Sequence, residues 1–141
     1  MELHIAGICH IGNLRDNNED NIFINGSYRT DPDQKIKALE DSVCGPWSVC
    51  AVFDGMGGES YGEKASLKAA EAFSSWEPSL DRQDIEDIFL KANDDIYDNI
   101  PKFRGQYSGT TAAVFISDGE KAAACNIGDS RIYRYRGRCL E

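Results

Sequence analysis

The segment that most constrains this chain is residues 47–53, WSVCAVF, an almost wholly apolar β-type run that stops abruptly at Asp54-Gly55-Met56-Gly57-Gly58. A run this short and this apolar reads as a strand buried in a sheet, so a carboxylate is delivered at the end of a rigid element. The glycines then turn the chain toward a helix expected to begin near Glu59. Such a tip suits a hard divalent cation: the strand holds the Asp54 oxygens, and Gly55 has no side chain to keep a cation from its own carbonyl. The start of the following helix favours anions. A plain strand-to-helix turn with a capping aspartate fits the same residues, and the segment alone leaves both readings open. Two phosphate-binding alternatives are near misses. Gly57 and Gly62 have the spacing of a phosphate-cradling loop, but Glu63 stands where that loop needs lysine and Lys64 comes one place late. Gly55-x-Gly57 opens like a dinucleotide fingerprint, yet Ser60 takes the third glycine position and Asp54 would repel a pyrophosphate.

The rest of the chain supplies strands before this segment and helices after it. Residues 3–11 are β-rich and apolar on both parities, which predicts a strand buried on both sides. A short strand is expected at 21–25, and residues 26–46, with Gly26, Pro32, Gly45 and Pro46 among mixed charges, read as a loop or irregular hairpin. Ala65, Ala69, Ala72, Phe73 and Trp76 recur at helical spacing and mark a core face. A second helix shows Ile85, Ile88, Phe89, Ala92, Ile96 and Ile100 as a stripe, with Ser79 or Asp81 to cap it and Pro101 to stop it. Two β-type runs, 110–117 and 121–127, meet at Asp118-Gly119, a hairpin signal, and 132–136 reads as a last short strand. Strands, then two helices, then strands argue for an α+β fold with largely antiparallel sheet. The 141 residues fit a single domain.

Charge and cysteines narrow the function classes. With 24 acidic against 15 basic residues the net charge is −9, a surface that repels nucleic acid and anionic lipid, so neither is an expected partner. The five cysteines, Cys9, Cys44, Cys50, Cys125 and Cys139, fit no zinc site and no disulfide framework, which points to a reducing compartment. With no signal segment and no long apolar run, the expectation is a soluble, cytoplasmic protein.

Three further clusters can carry chemistry. Arg15-x-x-Asn18-Glu19-Asp20 sets a guanidinium beside two carboxylates. The opposed charges make sense if the ligand is both metal and phosphate, Arg15 gripping phosphate oxygens while Glu19 and Asp20 face cations or their waters. An exposed polar turn with a local ion pair is the competing reading. Asn126-Ile127-Gly128-Asp129-Ser130-Arg131 again ends a strand in Gly-Asp, and a β-turn with an Asp–Arg pair accounts for it equally. Ser108-Gly109-Thr110-Thr111-Ala112 is a packing feature rather than a nucleophile. The only histidines, His4 and His10, lie in the first strand, so a Ser/His/Asp or Cys/His machine is poorly supported.

Taken together and in this order, these motifs, with Gly62-Glu63-x-Ala65-Ser66, resemble the PPM family, the type 2C metal-dependent serine/threonine protein phosphatases, and the Asp-Gly-Met-Gly-Gly version resembles its bacterial branch. The resemblance implies an antiparallel β-sandwich flanked by helices in α-β-β-α layers, of which residues 1–141 form the N-terminal half as one partial domain. It implies two Mg²⁺ or Mn²⁺ ions activating a water that attacks phosphoserine or phosphothreonine directly. Carried across, Asp54 bridges the metals, the Gly55 carbonyl completes one of them, Glu19 and Asp20 hold metal or its waters, Arg15 orients the phosphate, and Asp129 serves a third, looser metal. The implied partners are phosphoproteins made by a serine/threonine kinase. Two departures stand out. Met56 occupies the place where many eukaryotic members carry a histidine proposed as general acid, and a thioether cannot donate a proton. The later strands and aspartates that finish the family's metal site have no counterpart here. A non-catalytic, phosphatase-like binding module is therefore the alternative function. Sheet edges and apolar faces without partners are usually covered by association, so a dimer is expected.

Overall fold

The computed structural model describes residues 3–43, 46–56, 61–102 and 104–141. Its centre is β5 (Ser48–Met56), which pairs antiparallel with β2 (Asp20–Ile24) on one side and β7 (Ala112–Ser117) on the other. The short β3 (Ser27–Tyr28) extends the sheet beyond β2, β8 (Ala122–Ile127) extends it beyond β7, and β6 (Gly109–Thr110) pairs with the end of β5. A separate ribbon of β1 (Leu3–His10) and β4 (Ile36–Val43) packs on one face of this sheet, where a side chain at Gly7 would meet Ile24 and Ile22. Both helices, α1 (Gly62–Ser74) and α2 (Arg82–Asn99), lie on the other face. The result is α+β with antiparallel sheets and three of the four expected layers.

The central strand shows why the layers separate. Along β5, Val49, Ala51, Phe53 and Gly55 are buried toward the helices, while Val52, Asp54 and Met56 alternate onto the other face. The helix side is held by Phe73, whose ring meets those of Phe53, Phe23, Trp76 and Phe89 at centroid distances of 5.4, 6.4, 5.8 and 5.7 Å. Rings this close in tilted or edge-on geometry add packing energy beyond their burial, about 0.5–1.5 kcal/mol per pair. The α1 residues named from their spacing, Ala65, Ala69, Ala72 and Phe73, are all buried. On α2 the Asp81 carboxylate accepts the Gln83 N–H at 2.8 Å and caps the helix, and Ile88 and Ala92 are buried.

Four expectations change. The first strand is not buried on both sides: residues alternate, and Ile8 is 67% exposed, because β1 belongs to a two-stranded ribbon covered on one face only. The stretch expected to be a loop or irregular hairpin holds an eight-residue strand, β4, paired with β1, whose Lys37, Glu40 and Asp41 are the charges an outer strand tolerates. The central strand does not end before Asp54 but runs to Met56, since β6 continues to pair with it. The final strand shrinks to β9 (Tyr135–Arg136), which forms a small hairpin with β10 (Cys139–Leu140). The glycine turn at Gly57-Gly58 and the helix start at Glu59 fall outside the described residues. No described helix is long and apolar enough to cross a membrane, and Cys9, Cys50, Cys125 and Cys139 are free thiols.

Candidate active site

The antiparallel register of β2 and β5 sets Asp20 directly opposite Asp54. Two like charges in that position repel, and both strands are fixed by the sheet, so neither can retreat. Burial pushes the Asp20 carboxyl above the ordinary carboxylate range. The charge of Asp54 and a hydrogen bond to it, which requires a proton on Asp20, push it further, against Arg29 and Arg15. Glu19 is raised in the same way: burial first, then Glu63, with Arg15 opposing and Asp20 and Asp54 adding. Arg15, Glu19, Asp20, Asp54 and Glu63 thus share one electrostatic neighbourhood, four carboxylates and a guanidinium. Glu63, in the first turn of α1, accepts the Asn17 side-chain N–H at 2.9 Å and draws the helix to this cluster. Glu63 belongs to the Gly62-Glu63-x-Ala65-Ser66 motif, whose sequence alone shows no role for it.

Gly55 also has a structural role that its sequence context does not show. A Cβ there would lie 2.3 Å from the Glu19 carbonyl oxygen and 2.2 Å from that of Gly62, and the Gly55 N–H donates to Glu19 O at 3.2 Å. The glycine lets three backbone segments meet at the tip. On the far side of β5, the Asp54 N–H donates to Thr111 Oγ1 at 3.2 Å, Thr111 N–H donates to Asp54 O at 2.9 Å, and Thr111 Oγ1 shares a 2.6 Å hydrogen bond with Ser130 Oγ. This chain of bonds joins Asp129-Ser130 to the same tip, with Asp129 itself exposed. Thr111 is buried. Thr111→Val keeps its shape but strands the Asp54 N–H, so a loss of about 1–3 kcal/mol is expected, read as a lower urea midpoint at unchanged m-value.

The hexapeptide around Glu19 is exposed at residues 15–17 and turns inward from Asn18. Asn18 is buried; its Nδ2 donates to Cys9 Sγ at 3.1 Å and Lys35 O at 3.2 Å, and its Oδ1 accepts the Asp20 N–H at 3.2 Å. Arg15 remains exposed beside the carboxylates. Arg29, which the motifs did not reveal, is wholly buried directly behind Asp20.

Carboxylates gathered at a cost to one another fit a hard divalent cation, whose charge would remove the repulsion. Imidazole is absent from this cluster, and the one nearby thiol, Cys9, is buried and raised, first by desolvation. Among the described residues, however, no three His, Cys, Asp or Glu side chains converge closely enough to hold a metal ion by themselves. The cluster therefore fits as part of a cation site whose remaining ligands are waters, carbonyls or other groups.

Comparison with known proteins follows the same lines. A family described as Protein phosphatase 2C matches residues 6–137. Among solved structures, the serine/threonine phosphatase PstP/Ppp of Mycobacterium tuberculosis superposes with a TM-score of 0.68 at 23% identity, over 99% of this chain and 52% of that one. The PPM Ser-Thr phosphatase MsPP of Mycobacterium smegmatis, solved with cacodylate, gives 0.61 at 23% identity, over 100% and 51%. A bacterial serine phosphatase carrying a point mutation gives 0.67 at 23% identity, over 100% and 61%. The chain spans about half the length of the first two. No curated protein sequence matches it.

Proposed function

The chain belongs to the protein phosphatase 2C family, and on that footing we propose that it contributes the N-terminal half of a site hydrolysing phosphoserine and phosphothreonine in proteins. The observation that carries the reading is Asp20 facing Asp54 in register, with Glu19, Glu63 and Arg15 around them.

Asp54 and Asp20 would hold divalent cations, Mg²⁺ or Mn²⁺, with the Gly55 carbonyl as a further ligand and Glu19 on cation or water; Asp129 is the candidate for a looser ion. When bound, such ions supply charge neutralisation at the phosphate and a water made acidic enough to attack near neutral pH. The chain's own residues do the rest. Arg15, exposed beside the carboxylates, offers a planar pair of donors to the phosphate oxygens and orients the ester for in-line attack. Met56, two residues beyond Asp54 on the same strand face and 54% exposed, has no proton to donate. Leaving-group protonation falls to water or another group.

The test is hydrolysis of p-nitrophenyl phosphate and of a phosphothreonine peptide by the protein in Mn²⁺, with Asp54→Asn beside it. Manganese-dependent turnover that falls at least about a thousandfold in the variant is expected, since the substitution removes a charge on which the site is built. An unchanged rate sinks the assignment of Asp54. Binding of phosphopeptide without turnover would favour the alternative, a non-catalytic phosphatase-like module.

The open face between the two sheets, where Val52 and Ile132 are 46% and 38% exposed, supports the expectation that a second copy covers it. Light scattering at high concentration is expected to return the mass of a dimer; a clean monomer removes that expectation. Phosphoproteins of a serine/threonine kinase are the proposed substrates, and the cytoplasm the proposed location.

A further inference from the structure

Arg29 is the largest side chain that is completely buried, and it has no carboxylate salt-bridge partner among the described residues. Its charge is met by backbone carbonyls. Nη2 donates to Asn18 O at 2.8 Å and to Asp20 O at 2.6 Å; Nη1 donates to Pro32 O at 2.7 Å and Gln34 O at 3.0 Å, with Asp31 O at 3.5 Å. One fork therefore spans the two peptide units that bracket Glu19-Asp20, and its other arm anchors them to the loop at 31–34. The Arg29 backbone is itself clamped: its N–H donates to Asn21 Oδ1 at 3.0 Å and its carbonyl accepts from Asn21 Nδ2 at 2.9 Å, and Asn21 is also fully buried. Cys9 Sγ adds a donor to Asp20 O at 3.3 Å. Nε finds no partner, a desolvation cost the fold retains. A hydrophobic side chain of similar volume would fill this space without that cost, so the guanidinium serves something other than packing. A planar, multiply donating group can hold the Asn18 and Asp20 carbonyls, on either side of Glu19, and a separate loop at once.

We propose that Arg29 is a positioning residue for the cation-binding tip: its buried fork fixes the backbone of residues 18–20 and so aims Asp20 at Asp54. This rests on the cation-site reading above. Ligands that face each other at close range hold an ion only if their backbones cannot relax apart, and groups behind the ligands typically govern affinity tenfold to a hundredfold.

Arg29→Lys keeps the charge and loses the fork. Manganese affinity of the protein, titrated by electron paramagnetic resonance, is expected to fall at least about tenfold in this variant. Ile88→Ala, a buried position on α2, which carries no site residue, is the control; it lowers the melting temperature and is expected to bind manganese as the unaltered protein does. If Arg29→Lys binds manganese like the unaltered protein, Arg29 is scaffold only and the inference is overturned. If the unaltered protein binds no manganese, the cation-site reading fails first and the inference with it. Should Arg29→Lys not fold, hydrogen exchange on the unaltered protein decides. The Asp20 amide exchanging as slowly as that of Ala51 in the centre of β5 supports a locked tip. Exchange of Asp20 by local opening, orders of magnitude faster, overturns it.

Discussion

Gly55→Ala is expected to destabilise the protein by about 3 kcal/mol or more, whereas Gly62→Ala, seven positions later and on the same tip, is expected to change stability by less than about 1 kcal/mol. The difference lies in what each new methyl would meet. At Gly55 the obstacles are carbonyl oxygens of Glu19 and Gly62 at 2.3 and 2.2 Å, and the Gly62 carbonyl carbon at 2.6 Å, all backbone atoms belonging to elements already fixed by β2 and α1. No rotamer change relieves them; either the strand pair or the helix must shift. At Gly62 the nearest obstacles are Glu19 Oε1 and Cδ at 2.7 and 2.9 Å, the end of a side chain that can swing aside; the one backbone atom, the Gly55 carbonyl carbon at 3.1 Å, has to give by only a few tenths of an ångström. Alanine also favours the helix that begins there. Urea unfolding of both variants measures the contrast, and equal midpoints would mean the three segments do not meet as described. The Gly62 substitution carries a second readout: because it evicts the Glu19 carboxylate, manganese affinity falls although the fold survives. A glycine can thus guard backbone contact at one position and side-chain placement at the next.

The helices were legible because their signals are local. The Ile85, Ile88, Phe89, Ala92 and Ile96 stripe, the Asp81 cap and Pro101 all act within a few residues of where they stand, and α2 forms between them. The acidic motifs were legible for the same reason, since Glu19-Asp20 and Asp54-Gly55 are each contiguous. What escaped was set by pairing across the chain. Strand β4 carries Lys37, Glu40 and Asp41 in a pattern that no single-strand test separates from loop, and it becomes a strand because β1 lies beside it in register from Leu3↔Val43 to His10↔Ile36. The extension of β5 through Gly55 and Met56 depends on Gly109 and Thr110, more than fifty residues away. At Gly55 the sequence shows an absent side chain but not the Glu19 and Gly62 carbonyls that would meet one. Arg29 left no signature at all. Arginine is among the residues least often buried, and carbonyl acceptors are the same whatever side chains their residues bear.

The charges gathered at the tip have a consequence for stability that depends on pH and on cations. Asp54→Asn is expected to stabilise the protein in EDTA at neutral pH by on the order of 1 kcal/mol, the scale of a like-charge pair directly opposed across two strands. Asp20 and Glu19 both lie above the ordinary carboxylate range, through burial first and then through neighbouring carboxylates, Asp54 among them in each case. The sign follows from linkage. An acid raised in the folded state contributes its full share of stability below its unfolded pKa, about 4, and loses that share as pH rises through the higher folded value. Without divalent cations, the ionised tip is therefore a liability at neutral pH, and the asparagine variant escapes part of it. The advantage of Asp54→Asn should shrink toward zero as pH falls through the raised Asp20 range, because protonated Asp20 no longer repels its neighbour. Manganese should invert the order, raising the melting temperature of the unaltered protein while leaving the variant nearly unmoved. Thermal unfolding of both proteins from pH 4 to 7.5, with EDTA and with manganese, reads all three effects. A variant that is less stable than the unaltered protein in EDTA at neutral pH would show that Asp20 and Asp54 do not repel. The case for a cation between them would then lose its electrostatic reason.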